Sequence, residues 1–244
     1  MNHLYRITLV EAKLLAREPA PWLAAVLLPV VVLVAIGSLF PPQAADASPG
    51  GQRYLDLFVP SLVVLILASL GINTMPGRLA RYREQGVLRR LSTTPASPAS
   101  LLVAQLIVNA VVAVAGLALL VLVGGLVFDV PFPKDLAGFV LAFALGMSSL
   151  FALGMLIAAV APTSGAATAM FLPLFAAVMF LGGVYMPRWL LPDLIVRIGD
   201  VTPPGVQSLL DAWSGAPLQM TPLAVMAGIT LVAGWLAARS FRWE

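Results

Sequence analysis

Few side chains in this sequence are placed to do covalent chemistry. It has no Cys and a single His, His3, so thiol nucleophiles, zinc–thiolate sites and multi-His metal centres lack their parts. The only lysines, Lys13 and Lys134, follow Ala12 and Pro133, whereas a Walker A phosphate loop places Gly directly before its Lys. The chain therefore carries no ATP site of that kind. Serines and threonines are present, but a hydroxyl nucleophile needs a base within reach. The long apolar blocks that hold several of them contain no Asp, Glu, Lys, Arg or His.

Two kinds of candidate remain. The first is the sparse set of polar residues inside the apolar blocks: Ser69, Asn73, Thr74, Gln105, Asn109, Ser148, Ser149 and Thr168. Asn73 and Asn109 are the costliest of these to leave unpaired in lipid. Hydrogen bonding between helices, worth about 0.6–2 kcal/mol each, competes with contact to a passing substrate. Ser69, Asn73 and Asn109, together with the aromatic and kink-forming residues Phe171, Pro173 and Phe175, make up the candidate path. Without charge, that path suits an amphipathic or lipid-like molecule better than a strongly ionic one. The second candidate is the segment 77–98, which holds five of the fourteen basic residues, Arg78, Arg81, Arg83, Arg89 and Arg90, against one acid, Glu84. Its apolar residues Leu79, Tyr82, Leu88 and Leu91 predict two short amphipathic helical pieces hinged at Gly86. A simple anchor on lipid headgroups would explain the charge but not that order.

The elements that must position these residues follow from composition. Of 244 residues, 60% are hydrophobic and 10% charged, against about 25% charged in an average soluble domain. So few charges cannot coat a soluble surface, and a net charge of only +3 does not mark a nucleic-acid binder. Six blocks, at 22–40, 57–76, 101–128, 136–160, 167–186 and 222–238, are free of ionisable residues. Each approaches or exceeds the ~20 residues that cross a bilayer. An all-α polytopic membrane protein of one transmembrane domain is the expected fold, since a barrel would alternate in segments of about ten residues. The sequence Ala45-Asp46-Ala47 has the shape of a signal-cleavage site, but the preceding run, about 19 residues, exceeds the usual apolar stretch of about 7–15; the first block is read as a span. Residues 1–18 carry Leu4, Ile7, Val10 and Leu14 at helical spacing with Arg6, Lys13 and Arg17 between them, predicting an interfacial helix ended by Pro19 and Pro21. The segment 187–221 is too apolar for a free loop and is interrupted at Thr202-Pro203-Pro204-Gly205, predicting two short external helices that re-enter or lie on the membrane surface. Ala142/Gly146 and Ala224/Gly228 are candidate small-residue contacts.

Placing both termini in the cytoplasm puts ten basic residues inside and four outside, which satisfies the positive-inside rule. No ionisable residue lies in the six blocks, so an ion-coupled carrier lacks its usual groups. Together with the missing Walker A loop, this points to an engine in another chain.

The string Arg83-Glu84-Gln85-Gly86-Val87-Leu88-Arg89-Arg90-Leu91-Ser92-Thr93-Thr94-Pro95 resembles the E-x-G-x-x-x-x-L-x-x-[TS]-P pattern of ABC-2-type exporter permeases. In that family the pattern also lies between the second and third spans. The resemblance extends to the N-terminal interfacial helix, the six spans, the Pro-bearing fifth span and the long external segment before the sixth, with the drug-exporting branch nearest in size. It implies that 77–98 holds a cytoplasmic coupling helix docking on an ABC ATPase. Glu84, Gly86, Leu91 and Pro95 match the motif, and Arg81, Arg83, Arg89 and Arg90 would be contact or headgroup residues. It also implies ATP and Mg bound in two copies of that ATPase and no cofactor in this chain. A second permease subunit is expected, with a homodimer favoured over a heterodimer, in the cell membrane among its lipids. Two rivals remain. A non-transporting anchor or sensor would share the basic loop but need no polar path. An intramembrane lipid-modifying enzyme would need a nucleophile with a base, and no span offers the pair.

Overall fold

The computed structural model describes residues 3–39, 53–87, 98–186 and 188–240, and among them every regular element is helical. The chain opens with α1 (His3–Arg17) and α2 (Pro19–Leu39). The helix stops where Pro19 removes an amide and restarts with that proline in its first turn, where no amide is needed. Trp22 then folds α2 back on α1, donating from Nε1 to the Leu15 carbonyl at 2.9 Å.

The next span is one continuous helical rod, α3 (Tyr54–Ala68), a π-helical turn (Ser69–Thr74) and α4 (Met75–Glu84). The expected boundary at Pro76 is overrun by eight residues. The π turn places Pro76 in the first turn of α4, so the ring breaks no hydrogen bond there and the helix continues. Residues 77–84 of the expected inner loop are therefore helix, and Arg78 lies buried inside the bundle. The expectation that ionisable groups stay out of the spans is corrected accordingly. The Thr74 hydroxyl donates to the Ser69 carbonyl at 2.9 Å and closes the wide turn.

The remaining elements are α5 (Pro98–Phe128), α6 (Leu136–Val160), α7 (Ser164–Leu181), a single 3-10 turn (Arg188–Leu190), α8 (Asp193–Asp200), α9 (Val206–Ser214) and α10 (Met220–Ser240). Among the described residues, six helices are long and apolar enough to cross a membrane: α2, the rod, α5, α6, α7 and α10. The rod is the axis of the bundle. Its most apolar stretch is 89% buried, against 17% for α7. Tightest is the crossing of the rod with α6, where a Cβ on Gly154 would fall 1.9 Å from the Gly71 carbonyl oxygen. Only a glycine permits that approach. Of the two small-residue pairs, Ala142 and Gly146 are buried, Gly146 against Pro204, whereas Gly228 faces open space.

The stretch before the last span forms two short helices, as its interruption at 202–205 predicts. α8 leaves Leu194 and Ile198 exposed, while α9 buries Leu209, Ala212 and Trp213 against α6 and α3. Backbone bonds from Lys134 to Trp213 (3.3 Å) and from Asp135 to Ala212 (3.0 Å) fasten α9 to the start of α6. Trp213 meets Phe139 edge to face at 5.5 Å. Arg188 pairs with Asp200 across the α7–α8 connection.

α1 meets the bundle with a face that the sequence did not single out. Glu11 and Leu15 are buried and Leu4 and Ile7 partly so, whereas Val10 and Leu14 are exposed. Positions 4, 7, 11 and 15 fit helical spacing as well as 4, 7, 10 and 14 do. The face with the acid meets the bundle because the bundle offers that acid partners.

Candidate functional site

The far end of α4 carries the residues that the sequence singled out. Arg81 is exposed. Arg83 donates from Nη1 to the carbonyl of Ala161, which ends α6. Glu84 accepts the backbone amide of Ser164 at 2.8 Å and its hydroxyl at 3.0 and 3.1 Å. Ser164 is the first residue of α7, and Thr163 caps that helix by accepting the Ala166 amide at 3.1 Å. A carboxylate at a helix N-terminus also meets the positive end of the helix dipole. One turn of α4 thus grips both sides of the fourth-to-fifth-span connection. A cavity of about 790 Å³ opens beside it, lined by Arg83, Glu84, Val160, Pro162 and Arg239.

Gly86 ends this helix. Its φ is +67°, a left-handed conformation that favours glycine, and the Gln85 and Gly86 amides bond back to Arg81 and Arg83 at 2.9 and 3.0 Å. The motif glycine is a helix stop here. Arg89, Arg90, Leu91 and Pro95 lie outside the described residues.

A second set of contacts reaches α4 from α1. The Glu11 carboxylate, with its residue only 3% exposed, accepts the Tyr82 hydroxyl at 3.1 and 3.2 Å and the Gln105 side-chain amide. Burial pushes the Glu11 carboxyl above the usual carboxylate range, while the Tyr82 hydrogen bond and the Arg78 charge pull it back. Asn109 donates to the Gln105 carbonyl at 2.8 Å. α1, α4 and α5 therefore share one polar knot, assembled from residues 71 to 94 positions apart in the chain.

The candidate path residues are scattered. Ser69 is buried at the start of the π turn. Asn109 is fully buried; its amide donates to the Gln105 carbonyl one turn back on the same helix, and among the described residues its Oδ1 has no partner. Phe171 and Phe175 stack edge to face at 6.3 Å. Phe171 packs with Ala80 and Ile157, so the rings turn toward the rod, and Pro173 is exposed. Asn73 differs from the rest: between Phe58 and Pro76 it is the one exposed residue of the rod.

Sequence reasoning missed Glu11, Tyr82 and Gln105 as a group, and Ala161 and Ser164 as the partners of Arg83 and Glu84. Thr163-Ser164 carried a helix-start signal, but nothing in the sequence pointed from it to Glu84. Among known protein families, the one described as ABC-2 type transporter matches residues 3–204. No curated protein and no solved structure matches the chain.

Proposed function

The chain belongs to the ABC-2 type transporter family and is a multi-pass permease subunit working with an ABC ATPase; from that premise we propose that it exports an amphipathic or lipid-like small molecule, drugs among them. Two copies of the ATPase would supply the energy. The observation that carries this reading is the grip of Arg83 and Glu84 on Ala161 and Ser164. An ATPase pressing on the segment after Glu84 moves α4, and α4 takes with it the end of α6 and the start of α7. The cavity beside Arg83 and Glu84 lies where such a partner would dock.

The exit route runs between two permease subunits in this proposal, with both termini in the cytoplasm. An exposed amide in a span needs water, substrate or a second chain, and Asn73 offers one. The poorly buried α7, with Met170 and Leu172 exposed, supplies apolar surface for the same contact. A homodimer is favoured.

The test is transport of an amphipathic dye by permease and ATPase reconstituted together in vesicles. Glu84→Gln is expected to leave ATP hydrolysis within about twofold of the native complex and to cut transport at least about tenfold, because the step lost is transmission. Undiminished transport in this variant would refute the assignment of Glu84. Absence of ATP-dependent dye movement by the native complex, for a range of amphiphiles, would refute the export reading.

A further inference from the structure

α1 presents three faces, and two of them are left exposed by the described residues. Leu4, Ile7, Glu11 and Leu15 meet the bundle. Around the helix from them, Tyr5, Leu9, Ala12 and Ala16 form an exposed apolar strip, with Tyr5 55% and Leu9 42% exposed. Beside that strip, Arg6, Lys13 and Arg17 form an exposed strip with no acid in it. Helical spacing puts 6, 13 and 17 on one line over about 16 Å. Among the described residues none of the three cations is paired with a carboxylate.

The depth of α1 identifies what these strips meet. Ile7 packs against the cluster of Leu101, Ala159 and Ala237, which lie in the terminal turns of α5, α6 and α10. α1 therefore crosses the bundle at the level where three spans leave the apolar layer. At that level an apolar strip suits acyl chains and a cationic strip suits headgroups, as in helices that bind anionic membranes.

We propose that α1 is a binding surface for anionic phospholipid headgroups and that it reports their presence to α4. The route is short: Glu11, one residue from the apolar Ala12, holds Tyr82, and the next two residues of α4 are Arg83 and Glu84. Anionic lipid fixes α1, α1 fixes Tyr82, and the turn that grips the fourth and fifth spans is steadied. The binding surface does not depend on the export reading.

Hydrogen exchange on the full chain in lipid nanodiscs tests both halves. The lipids are phosphatidylcholine alone and the same lipid with one third phosphatidylglycerol. Amides of α1 and of residues 79–84 are expected to exchange about tenfold more slowly with the anionic lipid, in line with roughly one RT-scale contact or more per cation. Raising salt shrinks the difference. The triple variant Arg6→Gln/Lys13→Gln/Arg17→Gln, altered only at exposed positions, is expected to erase it. Glu11→Ala should keep the effect on α1 and lose it at residues 79–84. Equal α1 exchange in the two lipids, or a lipid effect that survives the triple variant, overturns the binding surface; an α4 effect that survives Glu11→Ala overturns the route.

Discussion

The two ends of the bundle are fastened by different means. At the end that bears the termini, α4 is held by side chains: Glu84 to Ser164, Arg83 to Ala161, Tyr82 and Gln105 to Glu11. Each tie joins elements far apart in sequence, and each hangs on one or two atoms. At the opposite end, α9 is held by two backbone bonds and by Trp213 packed on Phe139. A side-chain tie yields to a small movement and re-forms. A backbone bond beneath a packed indole gives way only when the local fold does. The first kind of fastening suits a part that must transmit motion, and the second suits a lid that stays seated.

Three measurements sharpen this contrast, beginning with the largest effect. Trp213→Ala empties a buried site at the lid and is expected to cost about 3–5 kcal/mol, read as a lowered thermal midpoint of the detergent-solubilised chain. A loss under about 1 kcal/mol would mean that the indole is not what seats α9. At the other end, Glu11→Ala leaves the Tyr82 hydroxyl and the Gln105 amide without an acceptor, at about 1–3 kcal/mol for a buried unsatisfied donor. The same thermal experiment reads this, and the fall should be smaller than for Trp213→Ala. If Glu11→Ala is the more damaging change, the polar knot is structural and not a release point.

The smallest effect is in pH. Burial raises the carboxyl of Glu11 at one end and of Asp211 at the other; the Tyr82 bond and Arg78 oppose the first shift. For Asp211, the Gln207 bond and Arg188 oppose it while Asp200 adds to it. An acid whose folded value lies above its unfolded one binds more protons when folded, so stability falls as pH rises through that interval and levels off above it. Between neutral pH and the ordinary carboxylate range, acidification should therefore raise the thermal midpoint slightly. Asp211→Asn should remove the part that belongs to the lid, and an unchanged slope in that variant would show that the lid does not contribute.

Much of the architecture was legible in sequence because lipid imposes a one-dimensional rule. Uncharged runs of sufficient length must be helices, and the six runs became the six long helices. The rule failed where geometry depends on neighbours. Pro76 reads as the end of a span, yet the π turn before it lets the rod continue and draws Arg78 indoors. On α1, the sequence marked the apolar stripe of Leu4, Ile7, Val10 and Leu14 for the membrane surface and did not say which face meets the bundle. The face that does carries Glu11, which Tyr82 and Gln105 compensate. The site was legible as a motif and not as a set of contacts. Glu84 and Gly86 were marked, but Ser164 lies 80 residues further on, in a separate element, and no local pattern links them.

The π turn has one more consequence, which concerns phase. Upstream of residue 69 and downstream of residue 74 the rod is ordinary α-helix, but the wider turn between them puts the two halves out of step. A face traced along α3 at helical spacing therefore does not continue onto the same side of α4. The angle at which Glu84 meets Ser164 is set by those six residues, some ten positions away, as the offset between two cams on one shaft is set by the coupling that joins them.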